Sequence, residues 1–399
     1  MAAAAARRVD ERLLAAVAPL PEAELLAGLR EAAEIAVHWY RARAWPSALE
    51  WSARAAVEAD QMHAYAEAGR HYERALELWD RVPDARVRTG GDRAELLERA
   101  AEAGRMRGDS GQALALVERA LRGIDPMVEP VRAGLLHERR GEYLMYARDL
   151  SSRFEALREA VRLVPIVPPS SERARVLASF ADALAMAGLE EEARAASEEA
   201  IEIAHPIGAE RELGYALVVM GWSQATRGAL EAGIASLREA CRLGEKHADP
   251  ELARRAYGWL GEELMQAGRL EEAVDVLLSG REVLRRLGVA GYRPDTYLLA
   301  SAADALLKLG RWDEADTSAR QALAQAQPDD RVPFVVVAML EISRGEFEAA
   351  EAHLKAIDNR ALSGPPEAAR MYLSAQAELR IWQAASTRRA RRSPRDSTG

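Results

Sequence analysis

Histidine and cysteine are the side chains of this sequence best suited to bind a metal or act as nucleophiles. The chain of 399 residues has 7 histidines and a single cysteine, Cys241. No two histidines stand four residues apart, the spacing that places a zinc-binding pair on one helix face. His63 and His71 could share a helix face, but Cys241 has no metal-ligating neighbour in sequence. We therefore predict no metal centre and no cofactor, and a buried, unreactive thiol at Cys241.

Acidic residues occur in short runs that could supply a general acid and a general base. The clearest runs are Glu190 to Glu192, Glu262 with Glu263, and Glu271 with Glu272. On helices such runs usually lie in solvent or stabilise the first turn through the helix dipole. The sequence also lacks the G-x-S-x-G elbow of serine hydrolases and the G-x-x-x-x-G-K-[ST] phosphate-binding loop. We predict no catalytic residues, and an enzyme is the weakest of the functional hypotheses.

The elements that must position any site are predicted to be helices. Hydrophobic residues make up 49% of the chain and aromatic residues only 6%, so the core must consist mainly of alanine and leucine. This composition favours close-packed helices over strands. The net charge of -9 argues against a broad nucleic-acid surface, which requires clustered cations. Without a signal-peptide pattern or an apolar run of membrane-spanning length, we expect a cytoplasmic protein with no membrane contact and no direct nucleic-acid binding.

A glycine followed five residues later by a small residue recurs along the chain, in its central part about every 40 residues. The copies are Gly108 with Ala113, Gly188 with Ala193, Gly228 with Gly233, Gly268 with Ala273, Gly310 with Ala315, and Gly345 with Ala350. Glycine permits the left-handed backbone that ends a helix, and the small residue lets the next helix cross closely. Gly141, Gly221 and Gly261 mark a second close crossing. The pattern predicts an all-α, right-handed superhelical solenoid of antiparallel helix pairs.

The best repeat resembles a tetratricopeptide repeat of the longer type, through Tyr257, Leu260, Gly261, Leu264, Gly268, Ala273 and Leu277. Three segments resemble the repeat region of LuxR-class, MalT-like transcriptional regulators of actinobacteria: YAEAGRHYERALELWDRVP at Tyr65–Pro83, EAVRLVP at Glu159–Pro165 and LKLGRWDEAD at Leu307–Asp316. In that family an ATPase domain precedes the repeats and a helix-turn-helix follows them. Neither pattern is found here, so the resemblance does not extend to ATP hydrolysis or DNA reading.

Three segments are expected along the chain. Residues 1–30 form an N-terminal extension, where Glu11–Ala32 resembles a truncated winged-helix segment of the same regulators. Residues 31–385 form the tetratricopeptide-like solenoid, whose first helices carry Trp39, Trp45, Trp51 and Trp79 as predicted anchors of that end. Residues 386–399 form a basic tail with Arg388, Arg389, Arg391, Arg392 and Arg395. Such a tail could touch nucleic acid, but its composition is typical of a disordered, solvated end.

The first helix of each pair is expected to line the concave side of the superhelix. Counting back from the turns places Glu142, Tyr146, Arg175 and Asp182 there. The favoured ligand or partner contacts lie further along the chain and are Tyr215, Trp222, Arg255, Glu262, Gln266, Tyr297, Asp304 and Lys308. This stretch combines aromatic side chains with charges of both signs, as an orienting groove would. In the alternative interpretation, Trp222 and Tyr297 pack between repeats and Arg255 pairs with Glu262.

Two functions follow from this pattern. The first is a non-catalytic repeat scaffold that binds a protein or peptide, as a regulatory or sensor module derived from a LuxR-class regulator. The second is a sensor of a small ligand, because the resemblance to MalT-like proteins implies that the superhelix can receive an inducer.

Overall fold

The computed structural model describes residues 22–62, 64–147, 149–288, 293–326, 330–361 and 366–392. Helices and the turns between them make up these residues, which contain no strand. Most of the segment that resembles a winged helix, and residues 393–399 of the predicted tail, lie outside the described part of the chain. None of the described helices is both long enough and apolar enough to cross a membrane.

The chain divides into two compact units, Met1–Pro168 and Pro169–Gly399, a division that the repeat pattern does not predict. The helices of unit 1 are α1 (Glu22–Arg41), α2 (Trp45–Gln61), α3 (Tyr65–Trp79), α4 (Ala85–Thr89), α5 (Arg93–Met106), α6 (Ser110–Arg122), α7 (Pro130–Ala147) and α8 (Leu150–Leu163). Helix α1 begins before residue 31, where the solenoid was expected to start. The antiparallel pairs of unit 1 are α2 with α3, α5 with α6, and α7 with α8.

Unit 2 is also built of helix pairs. Its helices are α9 (Ser171–Met186), α10 (Glu190–Ile207), α11 (Glu210–Thr226), α12 (Leu230–Lys246), α13 (Pro250–Gln266), α14 (Leu270–Arg286), α15 (Arg293–Lys308), α16 (Trp312–Gln325), α17 (Val332–Arg344), α18 (Phe347–Ala361) and α19 (Pro366–Arg392). Each odd-numbered helix from α9 to α17 pairs with the helix that follows it, and α19 packs on α17 and α18. Helix α19 extends to Arg392, beyond residue 386, where the basic tail was expected to begin.

The repeat turns are built as the glycine pattern predicts. Helix α13 ends at Gln266, and the chain then turns through Gly268, whose φ of 73° lies in the left-handed region. The other turn glycines that share a positive φ are Gly108, Gly188, Gly228, Gly310 and Gly345. Five residues after Gly268, Ala273 is fully buried against the preceding helix. The predicted turn and crossing positions are therefore confirmed.

The second predicted crossing is also confirmed. A Cβ atom on Gly221 would lie 2.7 Å from Leu237 Cγ and 2.9 Å from the carbonyl oxygen of Gly233. Gly141 and Gly261 meet a leucine of the next helix in the same way. Since no side chain larger than hydrogen fits there, glycine sets how closely the two helices of a pair approach.

Alanine and leucine fill most of both cores, as the composition requires. In unit 1, three of the tryptophans near the N-terminal end, Trp39, Trp45 and Trp79, pack partly buried against the core. Trp51 is half-buried beneath Arg54, whose Cζ lies 4.9 Å from the centroid of its ring.

Candidate functional site

In unit 2 the first helices of successive pairs pack on one another in the order α9, α11, α13, α15, α17 and α19. We call the surface that they form the first-helix face of unit 2. The predicted contact residues lie on α11, α13 and α15, in the middle of this face. Three groups of side chains are centred on Arg255, on Trp222 and on Glu262, whereas Tyr297 and the Asp304–Lys308 pair lie apart from them.

Arg255 connects three first helices. Its Nη1 lies 3.2 Å from Asp182 Oδ1 on α9, and its Nε donates to Glu251 Oε1 at 2.9 Å on α13. Between them its Cζ stands 5.9 Å from the centroid of the Tyr215 ring on α11. A side chain on α13 reaches α9 across α11 only if the face curves inward, because the axes of packed helices are about 8–10 Å apart. The first-helix face of unit 2 is therefore concave.

Tyr215 is fixed by a carboxylate at the start of α13. Its hydroxyl donates to Asp249, with both carboxylate oxygens 3.2 Å away, and Arg211 pairs with the same aspartate. Asp249 also caps α13 by accepting a hydrogen bond from the Leu252 amide. Burial and the charge of Asp249 raise the pKa of Tyr215 well above its usual value. Tyr215 is therefore neutral, and its hydroxyl proton is held by Asp249.

Trp222 meets a second tryptophan that the sequence analysis did not select. The rings of Trp222 and Trp259 have centroids 6.1 Å apart and are tilted by 55°, and both are half-buried. Trp222 therefore packs against the next repeat, as the alternative interpretation proposes. The two rings form an apolar wall between α11 and α13.

Tyr297 packs between repeats, as the alternative interpretation proposes. Its Cε1 would lie 2.8 Å from a Cβ on Gly258 of α13, and the Cζ of Arg254 stands 5.7 Å from its ring centroid. The ring thus fills the space that Gly258 leaves open, and it contributes mainly to the packing of α15 on α13.

Glu262 has a partner from far along the chain. Arg370 Nη2, on α19, donates to Glu262 Oε1 at 3.0 Å, and Gln266 Nε2 donates to the same oxygen at 3.2 Å. The expected alternative pairing of Arg255 with Glu262 is not formed, because each side chain has other partners. Arg370 could not be found from sequence, since α19 carries no turn glycine from which its register could be counted.

Two buried carboxyl groups of unit 2, on Asp304 and on Glu263, are incompletely satisfied among the described residues. Lys308 Nζ donates to Asp304 Oδ2 at 2.8 Å, whereas Asp304 Oδ1 has no hydrogen-bond partner among the described residues. Glu263 is buried, and its Oε1 also has no partner within the described part of the chain. Burial and the neighbouring charge of Glu262 raise the pKa of Glu263 to about 7. A carboxyl that titrates near neutrality is thus buried next to the groove.

An acidic residue recurs six residues before the turn position of most repeats. The positions are occupied by Glu102, Glu142, Asp182, Trp222, Glu262 and Asp304. In unit 2, three of them hold a cation: Asp182 holds Arg255, Glu262 holds Arg370, and Asp304 holds Lys308. This register is visible in the sequence and is the signal that would have singled out Glu102.

In unit 1, Glu102 belongs to a closed network. It accepts from Arg105 Nη2 at 2.6 Å and from the Tyr143 hydroxyl at 3.3 Å, and Arg139 Nη1 lies 3.5 Å away. Burial alone would raise the pKa of Glu102, but the charges of Arg105 and Arg139 lower it to about 2. The carboxylate is fully paired, so this cluster joins α5 to α7 and offers no free acceptor.

Cys241 and the described histidines do not come together in a metal-binding group. Cys241 is buried, and burial raises the pKa of its thiol. His71 is buried and its pKa is lowered to about 4 by burial and by Arg74, which keeps the ring neutral at pH 7. No group of three histidine, cysteine or acidic side chains among the described residues is placed to hold a metal ion. His63 lies outside the described residues.

Among the comparisons with known proteins, the similarity to solved structures supports the fold. No protein-family model matches the chain, and no curated protein matches it. Among solved structures, it is similar to a Rap protein complexed with competence and sporulation factor, with a TM-score of 0.60 and 11% identity over 87% of this chain and 96% of that chain. The predicted fold class, all-α and built of stacked tetratricopeptide-like helix pairs, is confirmed.

Two other similar structures contain longer chains. One is a signal transduction ATPase with a tetratricopeptide repeat sensor from Pyrococcus horikoshii, with a TM-score of 0.47 and 17% identity over 79% of this chain and 50% of that chain. The other is the APC/C hetero-tetramer Cut9–Hcn1, with a TM-score of 0.49 and 14% identity over 82% of this chain and 55% of that chain. The chain spans about half the length of each.

Proposed function

We propose that this chain is a non-catalytic repeat scaffold that binds an extended segment of a partner protein on the first-helix face of unit 2. The carrying observation is the concavity shown by Arg255, which lines the face with side chains from α9, α11 and α13. The Trp222–Trp259 pair offers an apolar contact beside the polar Glu262 and Gln266. An apolar anchor next to orienting polar groups is the usual composition of a binding groove.

The regulatory setting is a further part of the proposal. We infer from the sequence resemblance that the scaffold is a cytoplasmic regulatory or sensor module derived from a LuxR-class regulator, with residues 31–385 as its repeat region. The Rap protein, whose fold this chain shares, is itself complexed with competence and sporulation factor. That complex supports the use of such a fold for recognition.

A binding screen with two matched variants tests the function. The full chain is screened against a library of 12-residue peptides and a set of sugars and metabolites. Trp222→Leu removes the ring on the groove, while Trp312→Leu removes an exposed ring at the start of α16, a second helix. We expect saturable peptide binding that weakens about tenfold or more in Trp222→Leu and is unchanged in Trp312→Leu, because buried aromatic anchors dominate interface energetics.

The other outcomes separate the remaining hypotheses. Stabilisation by a metabolite alone, through binding to the folded state only, would support the inducer-sensor alternative and reject the scaffold. Peptide binding that is equally weakened by Trp312→Leu would show that the groove is not the site. Circular dichroism of both variants checks that helicity is retained.

A further inference from the structure

We propose that the segment bound on the first-helix face of unit 2 is an extended basic peptide with two arginines three residues apart. This inference rests on the proposed scaffold function and specifies the chemistry of the partner. It is carried by the row of acidic side chains at equivalent repeat positions and by the cations that already occupy them.

The row consists of an aromatic residue followed by two acids on successive first helices. Trp222 lies on α11, Glu262 on α13 and Asp304 on α15, each six residues before its turn glycine. Axes of packed helices are about 8–10 Å apart, and an extended peptide advances about 3.4 Å per residue. On a concave face these positions lie no farther apart than the axes, so a peptide that crosses these helices meets one position of the row at intervals of at most about three residues.

The ion pair with Arg370 shows that the Glu262 carboxylate can bind a guanidinium group. Arg370 lies on α19, and its side chain reaches Glu262 on α13. The Arg370 side chain is 62% exposed and the Glu262 side chain is 23% exposed. An exposed pair of this kind is held weakly. Helix α19 itself is anchored by Tyr372, Ala375 and Leu379, which are buried in the core of unit 2. The guanidinium of a partner can thus replace that of Arg370 while α19 stays in place.

Asp304 favours arginine over lysine. The single ammonium of Lys308 holds Oδ2, and the buried Oδ1 lacks a donor in the described structure. Lys308 is itself 47% exposed and can swing away. A guanidinium presents two parallel N–H groups to the two oxygens of one carboxylate, which an ammonium cannot do.

Fluorescein-labelled peptides test the spacing and the charge. The probe is GSLSGRSGRSG, in which leucine and two arginines stand three residues apart. Its controls are GSLSGRRSGSG, with equal charge at the wrong spacing, GSLSGKSGKSG, and the charge-reversed GSLSGESGESG. We expect fluorescence polarisation to show the probe binding more tightly than all three controls, with an affinity that falls as salt rises.

Two variants of the full chain should change the affinity for the probe peptide in opposite directions. Glu262→Gln removes the acceptor and should weaken binding of the probe about threefold to fivefold, as for a partly exposed ion pair. Arg370→Gln removes the internal competitor and should tighten binding by a similar factor. The matched controls Arg238→Gln and Glu272→Gln break an ion pair between the second helices α12 and α14 and should change nothing.

The outcomes distinguish the two proposals. Equal binding of the charge-reversed peptide, or weaker binding in Arg370→Gln with helicity retained, would overturn the basic partner. If the peptide library yields neutral or acidic binders that depend on Trp222, the scaffold function stands and only the basic partner is rejected. If no peptide binds the full chain, both proposals fail.

Discussion

Arg370 Nη2 lies 3.0 Å from Glu262 Oε1, although the two residues are 108 positions apart in the chain. Two first helices, α15 and α17, lie between their helices in the packing order. On a flat face the axes of α13 and α19 would be roughly 24–30 Å apart, so this contact requires a strongly curved inner surface in unit 2. The ion pair reports that curvature directly.

The contribution of this pair to stability should be small. A double-mutant cycle with Glu262→Gln, Arg370→Gln and the double variant is expected to give a coupling free energy of about 0.2–1 kcal/mol, because Arg370 is largely exposed. Urea unfolding at low and at high salt measures it, and the coupling should shrink as salt rises. A coupling well above this range would mean that the pair holds α19 in place, contrary to the role given to Tyr372 and Leu379.

Glu263 should make unit 2 less stable as the pH rises. Its folded pKa of about 7 lies above the ordinary value of 4.5. Its contribution is therefore complete below about pH 4.5 and is lost as the pH rises through 7. Glu263→Gln should match the wild type near pH 5 and exceed its free energy of unfolding at pH 8 by roughly 2–3 kcal/mol. The exposed Glu271→Gln on α14 is the control, and an unchanged pH profile in Glu263→Gln would contradict the burial argument.

Glu102 should show the opposite dependence in unit 1. Its pKa is lowered from 4.5 to about 2 by Arg105 and Arg139 against the effect of burial. The stability that it provides is present above about pH 4.5 and is lost as the pH falls through 2. Glu102→Gln should cost about 1–2 kcal/mol at pH 7, because the partly buried Arg105 and Arg139 lose a charged hydrogen-bond partner. Unfolding of the exposed Glu50→Gln variant provides the comparison, and equal effects of both would reject the network.

Adding even one methyl group at the close crossing of Gly221 should destabilise the fold. Gly221→Ala brings a Cβ against Leu237 and the backbone of Gly233, so we expect a loss of about 1–3 kcal/mol. The matched variant Gly111→Ala, on the exposed side of α6, meets nothing closer than 3.9 Å and should gain up to about 1 kcal/mol from helix propensity. Thermal melts of both variants measure the difference, and a stable Gly221→Ala would show that the helices separate without cost.

Most of the fold could be predicted from local features of the sequence. The left-handed turn at Gly268 and the buried Ala273 follow from residue type and spacing, because only glycine adopts that backbone freely and only small side chains fit a close crossing. Alanine-rich periodicity then leaves helix pairs as the one architecture that buries the apolar faces.

The candidate site could be predicted only in part. Counting back from the turn glycines predicted that Tyr215, Trp222, Arg255 and Glu262 lie on one face, because equivalent positions recur in each repeat. The partners of these residues, Trp259 and Arg370 among them, do not follow from any register. They depend on how far successive pairs rotate, and that rotation is the sum of many packing contacts between repeats.

The sequence by itself therefore determined the type of helix pair and the positions of its turn and of its close crossing, since both depend on interactions within about 40 residues. Only the tertiary structure decided the curvature of unit 2, the meeting of Glu262 with Arg370 and the burial of Glu263. The physical reason is that small rotations between repeats accumulate along the stack, so that residues far apart in the chain meet at positions no local pattern specifies.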